Sequence, residues 1–124
     1  MIKNLVLFLT PFMLCSCFFG KGNGIEMKIK NDCETTITEV RFTTTEKLET
    51  IYIAELEPNE AVSQFLPMAS NKMDGAYLLS YTRANGKKET IERGYYTNGA
   101  ALDRWIKFTI AQDTVLVDFD GPVH

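Results

Sequence analysis

The sequence predicts an all-β fold, an antiparallel β-sandwich of seven or eight short strands in one domain. Three observations predict it. From Ile25 onward apolar and polar residues alternate with the period of two that a half-buried strand requires. Proline, asparagine and glycine interrupt that alternation at short intervals, as turns do. No stretch sustains the 3.6-residue period of an amphipathic helix. A chain of 124 residues, 45% hydrophobic and 23% charged, suffices for one globular domain and is too short for two ordinary ones.

The first strand sets Ile25, Met27 and Ile29 on one face and Glu26, Lys28 and Lys30 on the other. Residues 36–44 ("TITEVRFTT"), 49–56 ("ETIYIAEL") and 60–66 ("EAVSQFL") are further strands, rich in Thr, Ile, Val and aromatics. Between the last two, Glu57-Pro58-Asn59-Glu60 makes a turn, with proline presetting φ and asparagine accepting unusual backbone angles. Segments 67–75 and 97–103 are the only places where a short helical turn could sit.

Two hairpins permit a register to be derived. In "AYLLSYTRANGKKETIERG", a two-residue Asn85-Gly86 turn would set Leu79 against Glu92 and Ile91 against Ser80. A three-residue loop, Ala84-Asn85-Gly86, instead pairs Leu79 with Ile91, Tyr77 with Arg93 and Tyr81 with Glu89, and gathers Ser80–Thr90 and Thr82–Lys88 on the polar face. A one-residue slip exchanges the faces, so the cleaner segregation favours the three-residue loop. In the last hairpin, pairing across residues 111–114 sets Ile110 against Val115, Phe108 against Val117 and Ile106 against Phe119. These six apolar side chains share one face and are the best candidate for the core, while Lys107 faces Asp118 as an exposed cross-strand ion pair. No Cys–Trp–Cys spacing accompanies the strands, so the sandwich is immunoglobulin-like in architecture only.

The N-terminus has a different character. Lys3 supplies a short positive region, and residues 5–14 ("LVLFLTPFML") form an apolar run too short to span a bilayer, which needs about twenty residues. The following Leu14-Cys15-Ser16-Cys17 resembles the lipobox of bacterial lipoproteins, with an aliphatic residue three before, and a small residue just before, the lipidated cysteine. The resemblance covers the first seventeen residues. It implies a signal peptide over 1–16, Cys17 as the first mature residue carrying diacylglycerol and an acyl chain, and loss of Cys15 with the peptide. It also implies a membrane partner reached through Cys17 and a place in the bacterial envelope, on the outer membrane facing the periplasm, since the tether lacks an acidic run. Removing Lys3 takes the net charge from −3 to −4. Residues 17–24 then form a Gly-rich tether reaching about 15 Å as a flexible coil, with Phe18 and Phe19 dipping into the membrane interface. Residues 25–124 form the β-domain. With three chains, release is negligible.

Several functions have no chemical basis here. The few basic residues are spread along the chain, so nucleic-acid binding lacks a phosphate-neutralising cluster. The only histidine is the C-terminal His124, which leaves serine or cysteine nucleophiles without a plausible base. Cys33 is the one free thiol that remains after processing and reads as an inert, partly buried residue, with no metal set and no cofactor implied. Asp118-Phe119-Asp120-Gly121 resembles the start of a calcium loop, but the remaining ligands are missing and it reads as a solvated strand end. The chain is therefore expected to be a non-catalytic module.

The candidate recognition surface is residues 93–105 ("RGYYTNGAALDRW"). Adjacent side chains of a strand point to opposite faces, so only one of Tyr95 and Tyr96 can enter the core. Trp105 shares its strand's outward face with Lys107. Tyr95, Tyr96, Asn98 and Trp105 are the candidate partner-binding residues, suited to a protein contact or to sugar stacking. Three functions fit: a scaffold or binding module for an envelope protein, a glycan-binding module, or a periplasm-facing inhibitor or immunity protein.

Overall fold

The computed structural model describes residues 22–121. The lipobox, Cys17 and His124 lie outside the described residues. Among the described residues nine strands follow one another: β1 (Gly24–Asn31), β2 (Ile37–Thr44), β3 (Thr50–Leu56), β4 (Ala61–Pro67), β5 (Gly75–Thr82), β6 (Lys88–Thr97), β7 (Ala100–Ala101), β8 (Trp105–Ile110) and β9 (Val115–Phe119). They form two sheets, β4-β1-β8-β9 (sheet A) and β3-β2-β5-β6-β7 (sheet B), whose inner faces meet in a sandwich. The all-β sandwich is what the alternation predicts. One pairing, β1 with β8, runs parallel, with Met27 opposite Ile106 and Ile29 opposite Phe108.

Both derived registers are present. Leu79 faces Ile91, Tyr81 faces Glu89, and Arg83 N donates to Lys87 O (2.8 Å) around the Ala84-Asn85-Gly86 loop. Ile106, Phe108 and Ile110 face Phe119, Val117 and Val115. Lys107 lies opposite Asp118 in register, but the two do not close into a contact ion pair. Segments 67–75 and 97–103 hold turns and extended chain rather than helix.

The core lies between the sheets. Ile25, Met27 and Ile29 of β1 and Ile106, Phe108 and Ile110 of β8 are buried against Val40, Phe42, Tyr77, Leu79 and Tyr81 of sheet B. Phe42 stacks on Tyr77 (centroids 5.8 Å apart) and meets Phe108 edge-on across the interface (5.7 Å). Such aromatic pairs contribute about 0.5–1.5 kcal/mol each beyond the area they bury.

Polar groups close the two ends. At one end, which carries loops 32–36, 57–60, 83–87 and 111–114, fully buried Asn31 donates to Thr35 O and Leu56 O (2.9 Å each) and accepts from Cys33 N. Arg83 there donates to Glu89 (2.5 Å) and to Ala111 O (3.0 Å), joining the β5–β6 hairpin to sheet A. Cys33 is buried beside it, its thiol donating to Ile110 O (3.4 Å). The other end holds turn 45–49, loop 68–74, turn 98–99 and segment 102–104. The chain also enters β1 there, and Asn23 donates to Met68 O (3.1 Å) and Gly99 O (2.8 Å). Asn23 and Gly24 thus belong to the folded domain.

Candidate functional site

Alternation in β1 turns Glu26, Lys28 and Lys30 outward, and the ladders set their neighbours. In sheet A, Phe65 of β4 and Trp105 of β8 flank Glu26, while Ser63 and Lys107 flank Lys28. The outer face therefore carries an aromatic row at the end where the chain enters β1, followed by a lysine row. Two adjoining open hollows run along it and share Trp105. One, of about 530 Å³, is bounded by Gly24, Phe65 and Arg104; the other, of about 580 Å³, by Lys28, Lys30, Ser63 and Lys107.

The charge of this face is mixed, since Lys28, Lys30 and Lys107 share it with Glu26 and with Asp118 opposite Lys107, and the positive character is local to the lysine row. Lys28 and Lys107 are directly opposite one another, an arrangement that like charges make unfavourable. Lys28 Nζ sits 5.0 Å from the centre of the Trp105 ring, where the ring's negative face offsets part of that repulsion. Lys30 adds a third ammonium two residues on. The arrangement can attract an anionic group and offer an aromatic surface beside it.

The other candidate residues fall elsewhere. Tyr96 is fully buried, 5.6 Å from Tyr77, and its hydroxyl donates to Glu46 (2.7 Å), so it cannot be a contact residue. Tyr95 is half exposed on the outer side of sheet B, which places it on the opposite face of the sandwich from Trp105. Asn98 sits at φ +50° in the β6–β7 turn, its N–H donating to Asp74 (2.8 Å). The four residues do not form one platform: burial removes Tyr96, and the two-sheet arrangement separates Tyr95 from Trp105. Only Trp105 remains in the groove.

The perturbed carboxylates have structural partners. The Tyr96 hydroxyl, with smaller contributions from Asn71 and two loop amides, holds Glu46 below the ordinary carboxylate range. Arg83 does the same for Glu89, and Arg104 for Asp120. Asn71, nearly buried, donates to Thr44 (3.0 Å), Glu46 (2.7 Å) and Tyr96 (3.2 Å), which ties loop 68–74 to sheet B. Among the described residues no group of three His, Cys, Asp or Glu side chains converges as metal ligands would.

Sequence reasoning missed the lysine cluster, because Lys28 and Lys107 meet only through the parallel β1–β8 pairing. The signals that were present were the outward parity of Lys28 and Lys30 in one strand and of Trp105 and Lys107 in another. No family model matches the chain, and no curated protein matches it. The chain is similar in fold to the NMR structure of a protein from Eubacterium rectale, at 10% identity and a TM-score of 0.56, over 83% of this chain and 94% of that one. At that identity the likeness concerns the fold alone.

Proposed function

We propose that the chain is a non-catalytic lipoprotein of the bacterial envelope, anchored to the outer membrane through acylated Cys17 and facing the periplasm. Its binding surface is the outer face of sheet A, and its partner is an acidic segment of another envelope protein lying along the groove. One observation carries the reading: Lys28, Lys30 and Lys107 meet beside Trp105 on one face of an acidic chain, with two of the lysines in direct opposition. The non-catalytic part is supported by the commitment of Glu46, Glu89 and Asp120 to scaffold hydrogen bonds. The glycan reading that relied on Tyr95, Tyr96 and Trp105 together loses its carrier, since the rings are not on one surface.

Exposed ion pairs contribute only about 0.2–1 kcal/mol each, so three of them give weak, salt-sensitive binding. Titrating the folded protein with an oligoglutamate peptide while following Trp105 emission tests this. A saturable change is expected that weakens as salt rises and is lost in the Lys28→Glu/Lys107→Glu variant. An unchanged titration in that variant, or a response to oligolysine of equal strength, would sink the reading.

A further inference from the structure

Of the large apolar side chains exposed among the described residues, Tyr52, Tyr95 and Leu116 lie on strands, and the three that lie in loops are all at one end. Leu48 lies in turn 45–49, Met73 in loop 68–74 and Leu102 just before β8, and each is at least half exposed. All three segments belong to the end at which the chain enters β1. The loops of the opposite end carry five exposed carboxylates, Asp32, Glu34, Glu57, Glu60 and Asp113, and none of the large exposed hydrophobics, against the two exposed carboxylates Glu49 and Asp74 at the end with the apolar tips.

The three tips are also held firmly. Lys72 N and Met73 N donate to Glu46 (3.2 and 3.3 Å), Gly99 N donates to Met73 O (2.8 Å), and Ala101 N donates to Asn23 (3.2 Å). Bonding of this density within a turn and two loops presents apolar side chains outward without letting them fold back on the domain. Four carboxylates of this end are engaged by protein donors: Glu46 by Tyr96 and Asn71, Asp74 by Asn98 N, Asp103 by Gly121 N, and Asp120 by Arg104. Lys47 and Lys72 flank the apolar tips and are exposed, as lysines beside a lipid headgroup layer would be.

We propose that Leu48, Met73 and Leu102 form a membrane-contact tip that enters the headgroup region of the bilayer and stands the sandwich upright on it, with its acidic end outward. The inference rests on the anchoring of Cys17. Given that anchor, geometry does the rest: from Cys17 to Gly22 the chain spans at most about 17 Å even when fully extended. The end carrying the three tips therefore stays within reach of the bilayer, and no other part of the domain is tied so closely. Apolar side chains entering the headgroup region contribute in proportion to the area they bury there. The upright stance leaves the groove beside Trp105 open along its length, beginning near the membrane and running away from it.

The test uses the full mature chain purified from membranes and reconstituted into phosphatidylcholine vesicles, with and without lipid brominated near the headgroup. In a Trp105→Phe background, single-tryptophan variants Met73→Trp, Leu102→Trp and Leu116→Trp report contact at three exposed positions. Leu116, on the outer face of sheet A toward the far end, is the control. Emission from positions 73 and 102 is expected to shift to the blue and to be quenched by brominated lipid, while emission from 116 is not. The mass of the N-terminal peptide separately reports acylation. Acylated protein unquenched at 73 and 102, or quenched equally at 116, overturns the tip and leaves the anchor standing. Unacylated protein overturns the anchor; the same vesicles then support the tip if 73 and 102 are still quenched, and overturn it if they are not.

Discussion

Gly99 and Gly86 both occupy the left-handed region, at φ +75° and +89°, yet their surroundings differ. A Cβ at Gly99 would lie 2.0 Å from Asn71 O and 2.3 Å from Asn71 C, whereas one at Gly86 would meet nothing within 4 Å. Gly86→Ala therefore costs only the left-handed conformation of a non-glycine residue, about 1 kcal/mol. Gly99→Ala adds a collision with backbone, and loop 68–74 has to move. Its withdrawal breaks the bonds from Gly99 N to Met73 O and from Asn23 to Gly99 O and Met68 O, at about 1 kcal/mol each. The expected loss is about 3–5 kcal/mol, out of the roughly 5–15 kcal/mol that stabilises a domain. For a domain of this size that lowers Tm by roughly 15–30 °C, against roughly 4–8 °C for Gly86→Ala. Urea denaturation followed by Trp105 emission measures both. Equal losses in the two variants would refute the claim that Gly99 is dictated by close approach rather than by its backbone angle alone.

Three further outcomes follow from the polar network. Arg83→Met leaves Glu89 with the Tyr81 hydroxyl but without its ion-pair partner, removes the Arg83 donor from Ala111 O, and should cost about 2–3 kcal/mol. Adding Glu89→Gln should restore part of that, and simple additivity in this denaturation cycle would contradict a coupled pair. Glu46, Glu89 and Asp120 are all held below their ordinary range in the folded protein, so at low pH the unfolded chain binds more protons. Their contribution is fully present above about pH 4.5 and is lost as pH falls through the folded values. Thermal scans should show Tm steady near neutrality and dropping in acid, less steeply in Tyr96→Phe; a Tm that rises on acidification would be inconsistent. Cys33 should resist thiol reagents in the native protein and react fully in urea; rapid native labelling would mean that its burial beneath Arg83 is wrong.

Much of the architecture was legible where the physics is local. The hairpin around Ala84-Asn85-Gly86 has the register that face segregation requires, because a slip would have put Leu79 and Ile91 on the polar side. The β8–β9 hairpin was legible for the same reason. The division of Tyr95 from Tyr96 followed from alternation, although which ring would be buried did not. Non-local pairing was not legible. Nothing in "GIEMKIKN" specifies a parallel neighbour some eighty residues away, since β1 offers the same buried face to any partner of matching shape. The groove depends on that pairing, so lysines spread along the sequence became a cluster only in the fold. Asn71 and Glu46 gave no signal either: a polar residue in a loop carries no period, and their value lies in hydrogen bonds to Thr44 and Tyr96 on other strands.

Both the groove's orientation and the tip's role depend on where the chain is held, which the proposal places at Cys17. Growing cells with an alkyne-bearing palmitate analogue, then capturing the protein and determining its N-terminal mass, tests the anchor directly. The account predicts a labelled protein beginning at Cys17, and an unlabelled precursor that retains residues 1–16 in Cys17→Ala. Label retained in the Cys17→Ala protein, or a wild-type chain cleaved elsewhere and free of label, would contradict it.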